Sequence, residues 1–241
     1  MASMAGGMNI LSWWAMAPDR GTRDAWRQWA IETENADRSQ GGLPACRHIP
    51  MMSLRRMSAG TRLAVESGLH LLAERPADMA IFTSRHGELD RTHKILGHLQ
   101  QQQALSPTDF AMSVHNTAAG WLTIIAQNTL PTTSIAAGED SFQQGMIEAQ
   151  AVLAGGAERV LLVDFDGVLP GAYQPFAPES RFPYAVALLL EGGDQLRCRP
   201  EPAEPAPLAQ PQSLSFLRGW LSREACFRVP GLRQSWRWER G

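Results

Sequence analysis

Helical and strand-like hydrophobic patterns alternate along the middle of the chain, between residues 51 and 192. Apolar residues recur at helical spacing in residues 58–74 and again in residues 89–103, where Ile95, Leu96 and Leu99 are predicted to face inward. Short apolar runs between such helices predict strands at 79–83, 159–165 and 183–190, the last of these being the final strand. Strands that alternate with helices indicate an α/β protein with a mainly parallel, layered sheet.

Residues 132–145, TTSIAAGEDSFQQG, predict a strand that turns sharply into a helix. The strand covers 132–136, and the helix, which is rich in small residues, covers 140–154. Enzymes often mount a nucleophile at such an elbow because the turn exposes a side chain beside the helix N-terminus. Here the apex residue is Gly138. Glu139 and Asp140 are either an acid/base pair or, as we favour, carboxylates that cap the helix.

Three regions of the chain differ in composition. We interpret residues 1–192 as one α/β domain whose first 50 residues are Trp-rich and irregular, with a short helix at 22–33. Residues 193–212 are Pro-rich and predict a linker or an extended surface segment. Residues 213–241 begin as a short amphipathic helix and end in a basic tail that contains tryptophan. From Phe216 onward the chain has six arginines and two glutamates.

The composition is that of a globular protein. Of 241 residues, 44% are hydrophobic and 19% charged, and the net charge of −2 gives no general attraction to nucleic acid or anionic membrane. No apolar run approaches the length of a membrane span, and the N-terminus lacks the basic and apolar regions of a signal peptide. Cys46, Cys198 and Cys226 show neither metal-ligand spacing nor a disulfide framework. We therefore expect a cytoplasmic protein.

Common catalytic and cofactor motifs are absent from the sequence. Ser141 follows Gly138 by three positions, so the hydrolase pattern G-x-S-x-G is not met. There is no P-loop, no G-x-G-x-x-G after a strand and no H-E-x-x-H. His93 and His98 are five residues apart and do not share a helix face well. We therefore expect no metal site and no cofactor.

Five stretches of the sequence carry a family resemblance: IPMMSLRRMSAGTRLAVESGLHLL, FTSRHGELDRTHKIL, SPTDFAMSVHNTAAG, SIAAGEDSFQQGMIEAQAVL and AERVLLVDFD. Their most specific parts are SRHGE, SVHNTAAG and AGEDSF. Together they are similar to the N-terminal half of β-ketoacyl synthases. More narrowly, the sequence resembles the short β-ketoacyl-synthase-like proteins of bacterial aryl polyene clusters, which are regarded as chain length factors. The similarity covers roughly residues 10–191.

The resemblance implies a thiolase-like fold, with a mainly parallel or mixed five-stranded sheet between helix layers. A catalytic ketosynthase has two such halves, and residues 1–192 would form the N-terminal half alone. The family's nucleophilic cysteine lies in an Ala-Cys-Ser elbow, which places Ala137 on the alanine and Gly138 on the cysteine. The family's two catalytic histidines come from the C-terminal half. The resemblance therefore implies a pseudoenzyme that does not condense acyl groups alone.

A single half of this fold would expose sheet edges and apolar surface. The resemblance therefore implies an obligate heterodimer with a full-length catalytic β-ketoacyl-ACP synthase, whose acyl tunnel this chain would shape. Ordinary core packing is the plainer interpretation of each large aromatic candidate. The candidate interface or tunnel residues are Phe110, Val114, His115, Asn116, Thr117, Trp121, Ser134, Ile135 and Phe142.

An acidic acyl carrier protein is a second expected partner. Arg233, Arg237 and Arg240 of the basic tail are candidates for steering it, although a solvated tail or one that wraps the partner is the plainer interpretation. Two other functions stay open. One is an acyl-transfer or thioester-hydrolysing enzyme that uses Ser141 or Glu139, and the other is a scaffold that binds carrier proteins without shaping a tunnel.

Overall fold

The computed structural model describes residues 6–32, 41–202 and 208–241. Two short 3-10 turns, Gly138–Asp140 and Gln174–Phe176, accompany the longer elements. The helices are α1 (Arg23–Ile31), α2 (Met51–Leu54), α3 (Ala59–Glu74), α4 (Leu89–Gln100), α5 (Pro107–Ala111), α6 (Thr117–Ala126), α7 (Ser141–Ala154) and α8 (Gln212–Leu221). The strands are β1 (Gly7–Met16), β2 (Met79–Thr83), β3 (Thr132–Ile135), β4 (Arg159–Asp166), β5 (Tyr184–Gly193), β6 (Leu196–Pro202), β7 (Cys226–Val229) and β8 (Gln234–Arg240).

The strands form one mixed sheet in the order β3-β2-β4-β5-β1-β6-β8-β7. Strand β2 pairs in parallel with β3 and β4, and the other pairs are antiparallel. The predicted α/β class is confirmed, and the sheet is mixed, but the prediction of a mainly parallel sheet is wrong, because only two of the seven described strand pairs are parallel. The predicted strand count is wrong, because the described residues form eight strands rather than five. Strands β6, β8 and β7 extend the sheet beyond β1.

Helices cover both faces at the centre of the sheet, which explains the continuous apolar runs of β4 and β5. Along β4, Val160 and Leu162 belong to one hydrophobic core, while Leu161 and Val163 belong to the other. Side chains of α1, α7 and α8 complete the first core, and side chains of α3 and α6 complete the second. The α7 elbow helix therefore packs on a sheet face that it shares with the C-terminal helix α8.

The Trp-rich N-terminal stretch contains β1 and is not irregular. Trp13 and Ala15 of β1 point into the first core, and aromatic residues of this kind suit a half-buried pleated surface. A bulge between Ile10 and Ser12 breaks the alternation of buried positions, which concealed the strand pattern. The short helix predicted at 22–33 is confirmed as α1, which Thr22 caps by accepting from the backbone N–H of Ala25. Thr33 lies outside the described residues.

The stretch 193–212 is not a linker over its described part. Strand β6 pairs with β8 along its length and with β1 at Met8, and α8 begins at Gln212. Residues 203–207 lie outside the description. Pro200 and Pro202 are tolerated because they lie where β6 has only β8 as a neighbour. The basic tail forms the hairpin β7–β8, so strand β5 is not the final strand.

Helix α4 confirms the predicted helix but not its predicted inner face. Leu96 and Leu99 are exposed, and α4 contributes no fully buried residue. The helix lies outside the two layers, beside α5, and therefore has no sheet to pack against. Ile95, the third residue predicted to face inward, is only partly buried, and Leu96 and Leu99 remain open to solvent in this chain.

Candidate functional site

The predicted strand–turn–helix elbow is present. Strand β3 ends at Ile135, a 3-10 turn follows, and α7 begins at Ser141. Gly138 has a φ of 61°, in the left-handed region that favours glycine. A Cβ atom built at Gly138 would meet nothing within 4 Å apart from its chain neighbours. The apex therefore has the sharp, open geometry of a nucleophile elbow, but it carries no side chain.

Ser141 is buried, and its hydroxyl is committed to the turn. Its Oγ donates to the carbonyl oxygen of Gly138 at 2.7 Å and accepts from the backbone N–H of Ala137 at 2.9 Å. Within the described residues, no histidine or lysine side chain hydrogen-bonds to this hydroxyl. A serine nucleophile needs a base within hydrogen-bond reach. The geometry therefore does not prepare Ser141 for nucleophilic attack.

The two carboxylates of the elbow bind distant parts of the chain. Asp140 occupies the N-cap position of α7 but makes no capping hydrogen bond. Its Oδ1 instead accepts from Gln212 Nε2 at 2.8 Å and from the backbone N–H of Leu232 at 3.3 Å. Glu139 lies 3.5 Å from the guanidinium of Arg85. The predicted capping role is therefore wrong for Asp140, which ties the elbow to the C-terminal segment.

Asp164 lies beside the elbow, buried near the carboxyl end of β4. Three hydroxyl groups donate to it, from Thr83 at 2.6 Å, Tyr184 at 3.0 Å and Ser213 at 2.5 Å. These donors come from β2, β5 and α8. Burial raises the pKa of Asp164, while the three hydroxyl donors oppose that rise.

Asp166 is the second buried carboxyl group at this end of the sheet. It accepts from Ser84 Oγ at 2.6 Å and from the backbone N–H groups of Arg85 and His86 at 3.2 and 2.9 Å. Burial, assisted by the charge of Asp164, raises the pKa of Asp166 to about 7. Burial and the charge of Arg85 lower the pKa of His86 to about 4, so this imidazole is neutral at pH 7.

Asp164 and Asp166 line a very small cavity behind Gly138. Its volume is about 20 Å³, which is the room that one water molecule needs. The guanidinium of Arg85 forms ion pairs with Glu179 and Glu139 in the cavity wall. Among the described residues that line the cavity there is no Cys, His or Lys. The charged groups around the cavity already have hydrogen-bond or ion-pair partners. The cavity is too small for an acyl thioester.

Most of the predicted interface residues lie between α5 and α6 or on β3. Phe110 and Val114 are 66% and 47% exposed, and Asn116 is exposed without capping α6. Thr117 is buried, and its hydroxyl hydrogen-bonds to the carbonyl of Val114 at 2.8 Å. His115 Nε2 lies 3.1 Å from the carbonyl oxygen of Ser84, which anchors this loop to the end of β2.

Strand β3 forms one edge of the sheet and pairs only with β2 among the described strands. Ser134 and Ile135 are partly buried, and Ser134 Oγ has no hydrogen-bond partner among the described residues. Trp121 and Phe142 instead belong to the two hydrophobic cores of this chain, where Phe142 packs on Phe216 at 5.2 Å between ring centroids. For these two aromatic residues, core packing is the interpretation that the geometry fits.

The three predicted carrier-protein arginines have different environments in the β7–β8 hairpin. Arg237 lies 2.8 Å from Glu239 and 3.5 Å from Glu201. Arg240 stacks on Trp220 at 4.1 Å, and burial lowers its pKa. Arg233 is exposed in the turn before β8. The structure therefore does not bring the three together as one open basic patch.

The cysteines are structural or peripheral. All three are free thiols, and burial raises the pKa of Cys198 to about 12 and that of Cys46 to about 11. Across the described ranges, no group of three His, Cys, Asp or Glu side chains is arranged to hold a metal ion. No helix in the described part of the chain has the length and hydrophobicity needed to span a membrane.

Residues 26–239 match the family described as "Beta-ketoacyl synthase, N-terminal domain". The chain belongs to this β-ketoacyl synthase family. Its fold is accordingly thiolase-like, as the resemblance implied. A comparison with curated proteins found no match.

Solved structures of β-ketoacyl synthases share the fold. One chain of the ketosynthase ApeO in complex with its chain length factor ApeC, from Xenorhabdus doucetiae, is 45% identical, with a TM-score of 0.92 over 97% of this chain and 99% of that chain. The ishigamide ketosynthase/chain length factor is 16% identical, with a TM-score of 0.60 over 81% of this chain and 68% of that chain. A β-ketoacyl synthase from Burkholderia phymatum is 13% identical, with a TM-score of 0.58 over 91% of this chain and 71% of that chain.

The buried polar cluster behind the elbow was not predicted from sequence. Its signal is nonetheless visible, because Asp164 and Asp166 interrupt the otherwise apolar strand RVLLVDFD. A buried carboxylate needs hydrogen-bond donors. The donors Thr83, Ser84 and Tyr184 stand at the adjoining ends of β2 and β5, but pairing them with β4 required the order of the strands.

Proposed function

We propose that the chain is a catalytically silent chain length factor that pairs with a full-length catalytic β-ketoacyl-ACP synthase. The proposed setting is aryl polyene biosynthesis or a related polyketide or fatty-acid-like pathway. One observation carries this proposal: glycine stands at the apex of a preserved nucleophile elbow. The chain that bears it is 45% identical, over 97% of its length, to one chain of a ketosynthase–chain length factor complex.

The chemistry of the reaction supports a silent role. Claisen condensation needs an acyl thioester on a nucleophile and an oxyanion hole. Gly138 offers a backbone N–H but no thiol, and the hydroxyl of Ser141 is bonded within the turn. The cavity behind the elbow, in whose wall Arg85 forms its ion pairs, has room for about one water molecule and not for an acyl group. Condensation therefore takes place in the partner subunit.

The surface around β3 supports the pairing. An edge strand offers unpaired backbone N–H and C=O groups to another chain. Ile124 of α6, a helix that contacts β3, exposes 67% of its surface, and Phe110 and Val114, in the chain just before α6, expose 66% and 47%. Exposed apolar residues on and before a helix that contacts an open sheet edge are typical of a protein interface. We assign the interface and the tunnel wall to Phe110, Val114, His115, Asn116, Thr117, Ser134 and Ile135.

The acyl carrier protein is the second proposed partner, and it binds through the complex. Arg233 is the exposed arginine of the three candidates, whereas Arg237 and Arg240 are already engaged with Glu201, Glu239 and Trp220. Steering of an acidic carrier protein therefore depends mainly on Arg233, and its contribution weakens as salt rises.

Co-expression with the candidate catalytic synthase tests the pairing. We expect a 1:1 complex by size-exclusion chromatography with light scattering. Ile124→Lys introduces a charge at the apolar face without disturbing the core, and it should raise the Kd about tenfold or more. Ile31→Lys is the matched control, because Ile31 is 70% exposed at the end of α1, near β1 and far from β3. An Ile124→Lys variant that binds as tightly as Ile31→Lys would contradict the proposed interface.

A second measurement separates tunnel shaping from simple scaffolding. In the reconstituted complex, Phe110→Ala should lengthen the acyl product, since it removes a large side chain from the proposed tunnel wall. Unchanged product length with intact assembly would favour a carrier-protein scaffold. The enzymatic alternative is tested on the chain alone with an acyl carrier protein thioester. Acyl loss that disappears in Ser141→Ala would overturn the silent role.

A further inference from the structure

Helices α4 and α5 are attached to the molecule without burying an apolar face. Neither helix contributes a fully buried residue. Leu96 and Leu99 of α4 and Phe110 of α5 expose between 51% and 66% of their surface. A surface helix usually stays in place because an apolar stripe packs on the core. These two helices are therefore held by other contacts.

The attachment begins at Glu88, a buried carboxylate directly before α4. Its Oε1 accepts from Ser58 Oγ at 2.8 Å and also from Thr61 Oγ1, both at the start of α3. Its Oε2 accepts from Arg91 Nε at 3.1 Å. The first turn of α4 is thus fixed to the N-terminus of α3 through one carboxylate.

Arg91 extends this attachment to two further segments. Its Nη1 donates to Asp109 Oδ1 on α5 at 3.0 Å, and its Nη2 donates to the backbone carbonyl of Arg56 before α3. The other carboxylate oxygen of Asp109 accepts from Lys94 Nζ of α4 at 2.8 Å. The side chains of Arg91 and Asp109 are each 15% exposed, so both are shielded from water.

Three nitrogen atoms of one guanidinium therefore hold three separate segments. A planar guanidinium presents these donors in a fixed arrangement, whereas a lysine ammonium is a single point charge. An ion pair that is largely removed from water also loses much when one partner is truncated, because the other charge stays buried. Substitution of Arg91 should consequently release α4 and α5 while the sheet remains folded.

We propose that Arg91 is a positioning residue that presents the apolar side chains of α4 and α5 to the catalytic synthase subunit. This inference rests on the proposed function. Only residues 112–116 separate α5 from α6, which contacts the edge strand β3. The proposed interface therefore includes Phe110 of α5 itself and residues 114–116, which follow α5 directly in the chain. The hydrogen bonds of Arg91 go to Glu88, Asp109 and the carbonyl of Arg56, and none goes to the elbow, so it acts by holding α4 and α5 in place.

Hydrogen–deuterium exchange on the chain alone tests the first half of the proposal. In Arg91→Lys, amide exchange across residues 89–114 should rise about tenfold or more, which corresponds to about 1.4 kcal/mol. Exchange in α3, α7 and the central strands should stay as in the wild type. Arg55→Lys is the matched control, because Arg55 is an exposed arginine at the end of α2. Unchanged exchange in residues 89–114 of Arg91→Lys would overturn the proposal.

Affinity for the synthase subunit tests the second half. Arg91→Lys should raise the Kd about tenfold, and Phe110→Ala should weaken binding without changing exchange in the chain alone. Faster local exchange with unchanged affinity would overturn the link to the partner. If Arg91→Lys fails to fold, Asp109→Asn decides the matter, since it removes the charge that pairs with Arg91 and Lys94 and leaves the contacts of Glu88 in place. Absence of binding by the wild-type chain would overturn the proposed function instead, because the exchange measurement needs no partner.

Discussion

The carboxyl group of Asp166 is enclosed by protein, and its environment links folding to pH. Burial raises its pKa to about 7, whereas an aspartate in an unfolded chain has a pKa of about 3.9. Between these values the folded chain holds a proton that the unfolded chain has released. The resulting stabilisation is present in full below about pH 4 and is lost as the pH rises to about 7, by up to about 1.4 kcal/mol per pH unit.

Asp166→Asn should remove this pH dependence, because the amide does not titrate. We expect the free energy of unfolding of the wild type to fall more steeply between pH 5 and pH 7 than that of the variant, by about 1 kcal/mol per pH unit. Urea unfolding at pH 5, 6 and 7 measures both slopes. Asp24→Asn, at an exposed position on α1, should keep the wild-type slope. Parallel slopes for the wild type and Asp166→Asn would show that Asp166 is ionised in the folded chain.

At the scale of the element, Gly145 allows the elbow helix to approach the sheet. A Cβ atom at this position would lie 2.4 Å from Thr83 Cγ2 and 2.8 Å from Leu162 Cδ1. Thr83 cannot move aside easily, because its χ1 is restricted and its hydroxyl donates to Asp164 at 2.6 Å. The glycine is therefore needed to keep α7, and with it the elbow, at its present distance from β2 and β4.

Gly145→Ala should destabilise the chain by about 1–3 kcal/mol through overpacking. Gly97→Ala in α4 is the control, since nothing lies within 4 Å of its Cβ position. There the loss of backbone freedom in the unfolded state should stabilise the chain by about 0.4–1 kcal/mol. Both values come from urea unfolding monitored by circular dichroism. A Gly145→Ala variant as stable as the wild type would mean that α7 can accommodate the added methyl group against the sheet at no cost in stability.

Sequence predicts the elements that have one clear period. The helices at 58–74 and 140–154 and the strands at 79–83 and 159–165 lie close to their observed bounds. The hydrophobic pattern fails to predict an element, or the side of it that is buried, where contacts between distant parts of the chain determine them. The bulge of β1 breaks its alternation, the prolines of β6 sit where one neighbour is missing, and α4 keeps its apolar face outside the core.

The candidate site also has one part that local sequence predicts and one part that depends on contacts between distant residues. The elbow and its glycine apex are local features that a run of 14 residues specifies. The polar cluster behind it joins β2, β4, β5 and α8, which are far apart in the chain. Asp140 shows the difference most directly. Its position beside a helix start predicts a cap, but the donors that it accepts from, Gln212 and Leu232, come from the C-terminal segment.

At the scale of the whole molecule, the C-terminal segment covers a face that a single half-domain was expected to leave open. Leu214, Phe216 and Leu217 of α8 lie in the same core as Met146 of α7. Trp238 of β8 completes the cover. Part of the remaining exposed apolar surface lies on α4, α5 and α6, where the partner is proposed to bind, and includes Leu96, Leu99, Phe110 and Ile124. Other exposed apolar residues, such as Ile31, Met51 and Met52, lie outside this region.

This cover predicts one cooperative folding unit rather than a domain with an independent tail. Phe216 is fully buried and packs on Phe142, Phe227 and Trp238 with ring centroids 5.2, 5.6 and 4.9 Å away. Phe216→Ala should therefore lower the stability of the entire chain by about 3–5 kcal/mol. Circular dichroism and tryptophan fluorescence should report the same single transition at a lower urea midpoint.

Phe176→Ala is the control for this variant, because Phe176 is 78% exposed and its truncation should change stability by no more than about 0.5 kcal/mol. Two separate transitions, with only one of them shifted by Phe216→Ala, would instead support a C-terminal unit that folds apart from residues 1–192. In that case α8 and the β7–β8 hairpin would be an added module. A single shifted transition means that α8 and the β7–β8 hairpin fold together with the rest of the chain.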